Sequence, residues 1–154
     1  MNAPRYKRPE SVLVVVYTQG GEVLMLRRTR PADFWQSVTG SLRWGESARQ
    51  AALRELREET GIQAGSSLVD MGHSERFSIK AAWRPRYGPT VQYNREHWFA
   101  LQLPSHRLIR RNPEEHSEHC WLPWPKAAEL ATSWTNRDAI LRLFGALPGI
   151  RGRA

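Results

Sequence analysis

A chain of 154 residues is long enough for one domain with a sizeable core, and 40% hydrophobic residues with no long polar tract exclude a disordered polymer. The formal charge of +8 attracts anions, and because the basic residues are spread along the chain without a nucleic-acid motif, a small phosphorylated ligand is favoured over RNA. No apolar run approaches the ~20 residues of a membrane helix, MNAPRYKRPE lacks a signal peptide's apolar stretch, and the single Cys120 excludes an internal disulfide. The expectation is one domain over residues 1–150 with a flexible tail at 151–154. It is expected to be cytoplasmic, monomeric or weakly oligomeric, with no membrane or stable nucleic-acid partner.

Lys7 and Arg8 precede the first strand, within reach of a ligand, with plain surface solvation as the alternative. Ser11 to Tyr17, SVLVVVY, is β-branched and apolar on both faces, so it reads as a central strand. Gln19-Gly20-Gly21 turns the chain and Glu22 to Arg28 reads as the hairpin partner. Arg27 and Arg28 end that strand on opposite faces, one facing phosphate and the other solvent. In DFWQSV, Phe34 and Trp35 read as core aromatics ahead of substrate stacking. Thr39 follows in a loop that should approach the ligand.

Gly40 to Ile62, GSLRWGESARQAALRELREETGI, organises the rest. Ser47 and Gln50 form a capping box that starts a helix, Gly61 suits the left-handed position that ends it, and Ile62 supplies the accompanying apolar contact. Leu53 and Leu56 share the flank toward the core. Glu55, Glu58 and Glu59 fall within an arc of about 100°. Near a helix C-terminus such crowding is unfavourable, and a hard divalent cation offsets it. Arg54, Arg49 and Arg57 lie close enough for a solvated, salt-bridged face to be the alternative.

Leu68 to Lys80 and His97 to Leu103 read as strands, separated by the 16-residue segment Ala81 to Glu96, rich in Pro, Gly, Arg and aromatics, which reads as a lid or specificity insert. Arg107 to Cys120 carries Glu114, Glu115 and Glu118 beside His106, His116 and His119. With no HExxH and no CxxC, zinc is not the expected reading. Cys120 reads as a buried residue of a strand containing Trp121. Pro125 to Thr132 and a helix capped by Asn136, with Ile140, Leu143 and Phe144 on its apolar side, complete the chain. Trp134, in the linker between them, stacks on a heterocycle or packs between the helices.

Gly40, five residues, Glu46, seven residues, then Arg54-Glu55-Leu56-x-Glu58-Glu59-x-Gly61-Ile62 resembles the Nudix box, with all nine fixed positions filled. Arg43 and Trp44 stand at free positions where many members carry acidic or small residues, and Arg43 is placed to touch phosphate. The resemblance implies an α+β Nudix fold, a mixed curved β-sheet sandwiched between helices (α/β/α). It implies a hydrolase using Mg²⁺, with Mn²⁺ able to replace it, bound by Glu55, Glu58, Glu59 and the Gly40 carbonyl, while Glu46, Arg54 and Gly61 shape the motif. Glu115, outside the box, is the further carboxylate the family often uses. Glu58 and Glu115 are the candidate bases for an attacking water.

KRPESVLVVVY, DFWQSVTGS, RYGPTVQYNREHWFALQLP and SWTNRDAI extend the resemblance to a bacterial branch of the family in folate synthesis. The implied reaction is removal of pyrophosphate from 7,8-dihydroneopterin triphosphate, leaving the monophosphate. The implied substrate site comprises Lys7, Arg28, Thr39, a strand over Phe77, Ser78, Ile79 and Lys80, and Trp134. A Nudix pyrophosphatase for ordinary or oxidised nucleotides is the first alternative; a non-catalytic basic nucleotide- or RNA-binding module is the second.

Overall fold

The computed structural model describes residues 6–146; the tail expected at 151–154 lies outside them. Strand β1 (Glu10–Thr18) is the axis, because its alternating side chains are apolar on both faces. Val12, Val14 and Val16 enter one core with Leu56 and Ala52 of helix α1 (Ala48–Thr60). Leu13 and Val15 enter a second core with Ala127 of α2 (Trp124–Leu130) and Ile140 of α3 (Trp134–Leu143). A sheet apolar on both faces must be covered twice, and the result is the expected mixed sheet between helices.

Parallel to β1 along its whole length, from Glu10↔Arg95 to Thr18↔Leu103, runs β6 (Tyr93–Leu103). Beyond it β5 (Val69–Ser78) pairs antiparallel. The other edge of β1 is divided. Strand β2 (Glu22–Arg28) meets β1 at Tyr17↔Val23, then departs to pair with β7 (His116–Pro123) on one side and the short β3 (Trp35–Gln36) on the other. Its hairpin origin is as expected, but β7 is its main partner. The departure leaves Ser11 to Val14 of β1 free for β4 (Val38–Ser41), which delivers Gly40 to the start of the Nudix-like loop.

Several expected boundaries move, among them the helix expected over Pro125 to Thr132, which spans Trp124–Leu130. The strand expected over 68–80 ends at Ser78; the Ile79 amide still donates to the Gln92 carbonyl (2.9 Å), and Lys80 lies in the loop. Strand β6 begins at Tyr93 rather than His97, because Asn94 and Glu96 point inward as polar residues and so do not read as apolar alternation. Asn136 is not the cap of α3. Ser133 holds that place, its Oγ accepting from the Asn136 amide at 3.1 Å. The Asn136 side chain is instead fully buried, accepting from the Ser37 amide (2.6 Å) and donating to Ser37 Oγ (2.9 Å). Trp134 therefore belongs to the first turn of α3. Among the described residues, no helix is long and apolar enough to cross a membrane.

Candidate active site

Helix α1 begins and ends where its sequence requires. The Ser47–Gln50 capping box is complete, and Gly61 sits at φ 79° with its amide bonded to the Arg57 carbonyl. Before the helix, Arg43 to Glu46 close a turn in which Glu46 Oε1 accepts from the Arg43 amide at 2.9 Å. Arg54 then ties loop to helix. Its Nε and Nη2 bind the two Glu46 oxygens at 2.8 and 2.9 Å, and Nη2 also reaches the Ser41 carbonyl at 3.0 Å. The hydrogen bonds from Arg54 hold the Glu46 carboxyl down at about 2. Nη1 binds Glu55 Oε1 at 2.6 Å and Glu58 Oε1 at 3.2 Å. The salt-bridged alternative is thus realised in part, at Glu55 and Glu58 through Arg54, while Arg49 turns away to the Leu68 and Gly65 carbonyls.

The three helix carboxylates run from core to solvent. Glu59 is 2% exposed, Glu55 lies part-buried, and Glu58 has a side chain 41% exposed. Gly40 is packed against Glu55 so closely that a Cβ there would stand 2.6 Å from the Glu55 Cγ. Burial pushes the Glu59 carboxyl well above the usual range, helped by a hydrogen bond shared with Glu55 and by the charges of Glu55 and Glu115, while the Thr39 amide opposes the shift. Glu59 Oε1 has no hydrogen-bond partner. An orphaned buried carboxylate oxygen beside a second carboxylate is a donor set suited to a hard divalent cation. Among the described residues, no three His, Cys, Asp or Glu side chains already surround one point, since Arg54 holds Glu55 and Glu58 on its own side.

Glu115 ends the segment before β7 and faces the same region. Partial burial first, then Glu55 and Glu58, raise its carboxyl, with Arg28 opposing. Next to it lies His116, whose place in this site has no local signal in the sequence beyond its neighbours His106 and His119. It is 2% exposed, accepts from Gln36 Nε2 at 3.1 Å, and lies 3.9 Å from Glu59 Oε1. Burial, then Arg28 and Arg111, depress its imidazole to about 4, so it is neutral and makes no ion pair with Glu59.

A cleft of about 1200 Å³ opens from this acidic cluster. Glu55, Glu59, Glu115 and Gly40 line one part of it, whereas Glu58 and Arg43 do not. Arg43 Nη2 instead lies 4.0 Å from Glu58. Lys7, Arg28 and Thr39 also border the cleft, as do Phe77, Ser78, Ile79, Lys80 and Trp134. The arginines at the end of β2 divide as alternation requires. Arg27 binds Glu118 at 2.7 Å on the surface, and Arg28 turns inward over the Phe34 ring, 5.5 Å from its centroid. Phe34, expected in the core, lines the cleft, while Trp35 packs beside α2 and α3. Lys7 loses proton affinity through partial burial and the neighbouring Arg86 and Arg28, so three cations crowd one wall. Trp134 is 46% exposed. The expected insert is tied to the N-terminal segment, where the Lys7 amide donates to the Arg86 carbonyl at 2.7 Å, and that segment is in turn held by Trp44 Nε1 donating to the Tyr6 carbonyl at 2.8 Å.

Residues 7–144 match the model of the NUDIX domain. The chain is 48% identical over 139 residues to the dihydroneopterin triphosphate diphosphatase of Escherichia coli K12, covering 88% of this chain and 91% of that protein. It is 37% identical over 140 residues to the protein of the same name from Haemophilus influenzae, covering 88% and 87%. The solved structure of the E. coli dihydroneopterin triphosphate pyrophosphohydrolase superposes with a TM-score of 0.83 at 47% identity, covering 90% of this chain and 97% of that one. A capped helix carrying its glutamates beside a glycine loop, on a sheet that superposes on this scale, leaves one assignment: the chain belongs to the Nudix family.

Proposed function

We propose that this Nudix hydrolase converts 7,8-dihydroneopterin 3′-triphosphate to the monophosphate and pyrophosphate, in folate synthesis. The observation that carries the reading is the single cleft of about 1200 Å³ that joins the acidic cluster to a recess bordered by Trp134, Phe34 and the buried polar residues of β6. It has room for a polyphosphate and a bicyclic ring at once. The activity named for a relative 48% identical supports it.

Nudix hydrolases depend on divalent metal ions, and the donor set here suits Mg²⁺, with Mn²⁺ as a substitute. Glu55, Glu59, Glu115 and the Gly40 carbonyl would hold the ions, with Glu58 at the solvent side. Bound there, divalent ions neutralise the triphosphate and polarise the attacked phosphorus. Lys7 and Arg28 bind the anionic tail, and Thr39, which borders the same cleft, favours the ionised form of Glu59 through its amide. Of the two candidate bases, Glu115 is preferred to Glu58 because it lines the cleft, whereas Glu58 is tied to Arg54 outside it. A small triphosphate rather than nucleic acid is the partner, and the protein acts as a monomer or weak oligomer.

The test is a panel containing dihydroneopterin triphosphate, GTP, dATP, 8-oxo-dGTP and ADP-ribose, assayed in Mg²⁺ with pyrophosphate and orthophosphate separated. The expected kcat/KM for the pterin exceeds the others by about tenfold or more, with pyrophosphate as product. A higher value for an ordinary or oxidised nucleotide, or no turnover of any, overturns the proposal.

A further inference from the structure

We infer that Glu96 and Asn94 are the specificity-determining residues of the cleft, two acceptors that read the 2-amino-4-oxo edge of the substrate's ring and discriminate against a 6-amino edge such as adenine's. The inference deepens the proposed function and rests on it for the identity of the substrate. The geometry of the recess stands independently.

Both residues lie near the start of β6 two positions apart, so they point to the same face, as does Trp98 two positions further on. That is the face covered by α2 and α3. Glu96 is 6% and Asn94 2% exposed, and both border the cleft. Neither is needed by the acidic cluster; the charge that acts on Glu96 comes from Glu75, not from the α1 glutamates.

Trp98 Nε1 donates to Glu96 Oε1 at 3.0 Å, and the nearby Thr135 hydroxyl also favours the ionised carboxyl. A carboxylate accepts about four hydrogen bonds, so acceptor capacity remains. Burial still raises its proton affinity despite these two partners, so the ionised form gains from further N–H donors. Asn94 donates through Nδ2 to Ser11 Oγ at 2.8 Å, which leaves Oδ1 as its free atom, and Oδ1 has no partner. The wall therefore offers acceptors where an aliphatic residue would serve the core better.

A 2-amino-4-oxopyrimidine ring, shared by pterins and guanine, presents a ring N–H and an adjacent exocyclic NH₂, a donor pair that a carboxylate accepts side by side. Adenine presents an unprotonated ring nitrogen in the corresponding place and sets lone pair against lone pair.

The test uses Glu96→Gln, whose amide oxygen still accepts from Trp98, and Asn94→Ser. Binding of 7,8-dihydroneopterin, guanosine and adenosine is measured by calorimetry without metal, so that no phosphate or cation contributes. Wild type should bind the first two more tightly than adenosine by about tenfold or more, and E96Q should weaken those two by about 10- to 100-fold with adenosine unchanged. With dihydroneopterin triphosphate in Mg²⁺, the loss should fall on KM more than on kcat. Equal weakening for all three probes, or none, overturns the inference. Should E96Q not show a cooperative melt, N94S decides by the same selective pattern. Wild type that fails to hydrolyse the pterin triphosphate, with ring selectivity that E96Q removes, sinks the proposed function and leaves the inference standing. Hydrolysis with a ring preference that both variants retain sinks the inference alone.

Discussion

Gly40→Ala separates stability from chemistry. Gly40 lies in β4 opposite Val12, and its φ is not positive, so alanine brings no backbone strain. The added methyl, however, falls on the Glu55 carboxylate and within 2.6 Å of its Cγ. The atoms met belong to the far end of a flexible side chain, so Glu55 moves and the strand stays. Its movement breaks the 2.6 Å bond to Arg54 Nη1. A partly exposed ion pair of this kind is worth about 1 kcal/mol or less, which is ~2–4 °C of melting temperature for a domain of this size. The catalytic cost is larger, since displacement of a positioning group by about 1 Å costs ~100-fold, or about 2.7 kcal/mol of barrier. Purified G40A should therefore melt within a few degrees of wild type while its kcat/KM in Mg²⁺ falls about 100-fold or more. Activity within about threefold of wild type would refute the placement of Glu55 in the catalytic cluster. A collapse in stability would refute the claim that Glu55 is the element that yields.

Glu59→Gln should abolish turnover, by about 1000-fold or more, without lowering the metal-free melting temperature, because it replaces a buried carboxyl whose Oε1 has no partner with an uncharged group of the same shape. Calorimetry should also show loss of the stabilisation that Mn²⁺ gives wild type; retention of either property argues against a metal ligand at this position. Glu46 is held at about 2 against an unfolded value of 4.5, so its stabilisation is complete above pH 4.5 and is lost as pH falls through 2. In Glu46→Gln, stability at pH 7 should fall by roughly 1–3 kcal/mol. Its urea-unfolding free energy should also change less between pH 5 and 2 than that of wild type. Asn136→Ala removes two buried hydrogen bonds and strands the Ser37 amide; about 2–4 kcal/mol should be lost, measured by the same denaturation, and a loss under about 1 kcal/mol would show that water replaces the side chain.

The legible part of the site is the part built from near neighbours in the chain. Capping box, glycine stop and acidic arc follow from near-neighbour spacings, the tie from Arg54 to Glu46 is what the resemblance to the Nudix box implies, and helix periodicity alone places Glu55 and Glu59 together. What periodicity does not convey is depth. The arc runs from Glu59, sealed inside, to Glu58 in solvent, because the helix axis is set by Leu56 and Ala52 pressing on β1. The pairings of Gln36 with His116 and Ser37 with Asn136 span 80 and 99 residues, and nothing local announces them. Asn136 even imitates a cap, since asparagine favours that position, until Ser133 is seen to hold it.

Strand β6 shows a different reason for illegibility. Its first residues do alternate between exposed and buried, Tyr93 out, Asn94 in, Arg95 out, Glu96 in, which is the period-2 signature of a half-buried strand. The signal is invisible to hydropathy because the inward members are polar, so the segment reads as an extension of the loop and β6 as four residues shorter. A polar side chain turned inward on a strand costs stability unless it is satisfied, and the chain satisfies Glu96 with Trp98 while leaving Asn94 Oδ1 open. The polarity that hides this segment from hydropathy is the same property that gives the recess its acceptors. Its residues carry unspent hydrogen-bonding capacity at positions where folding alone would select valine or leucine.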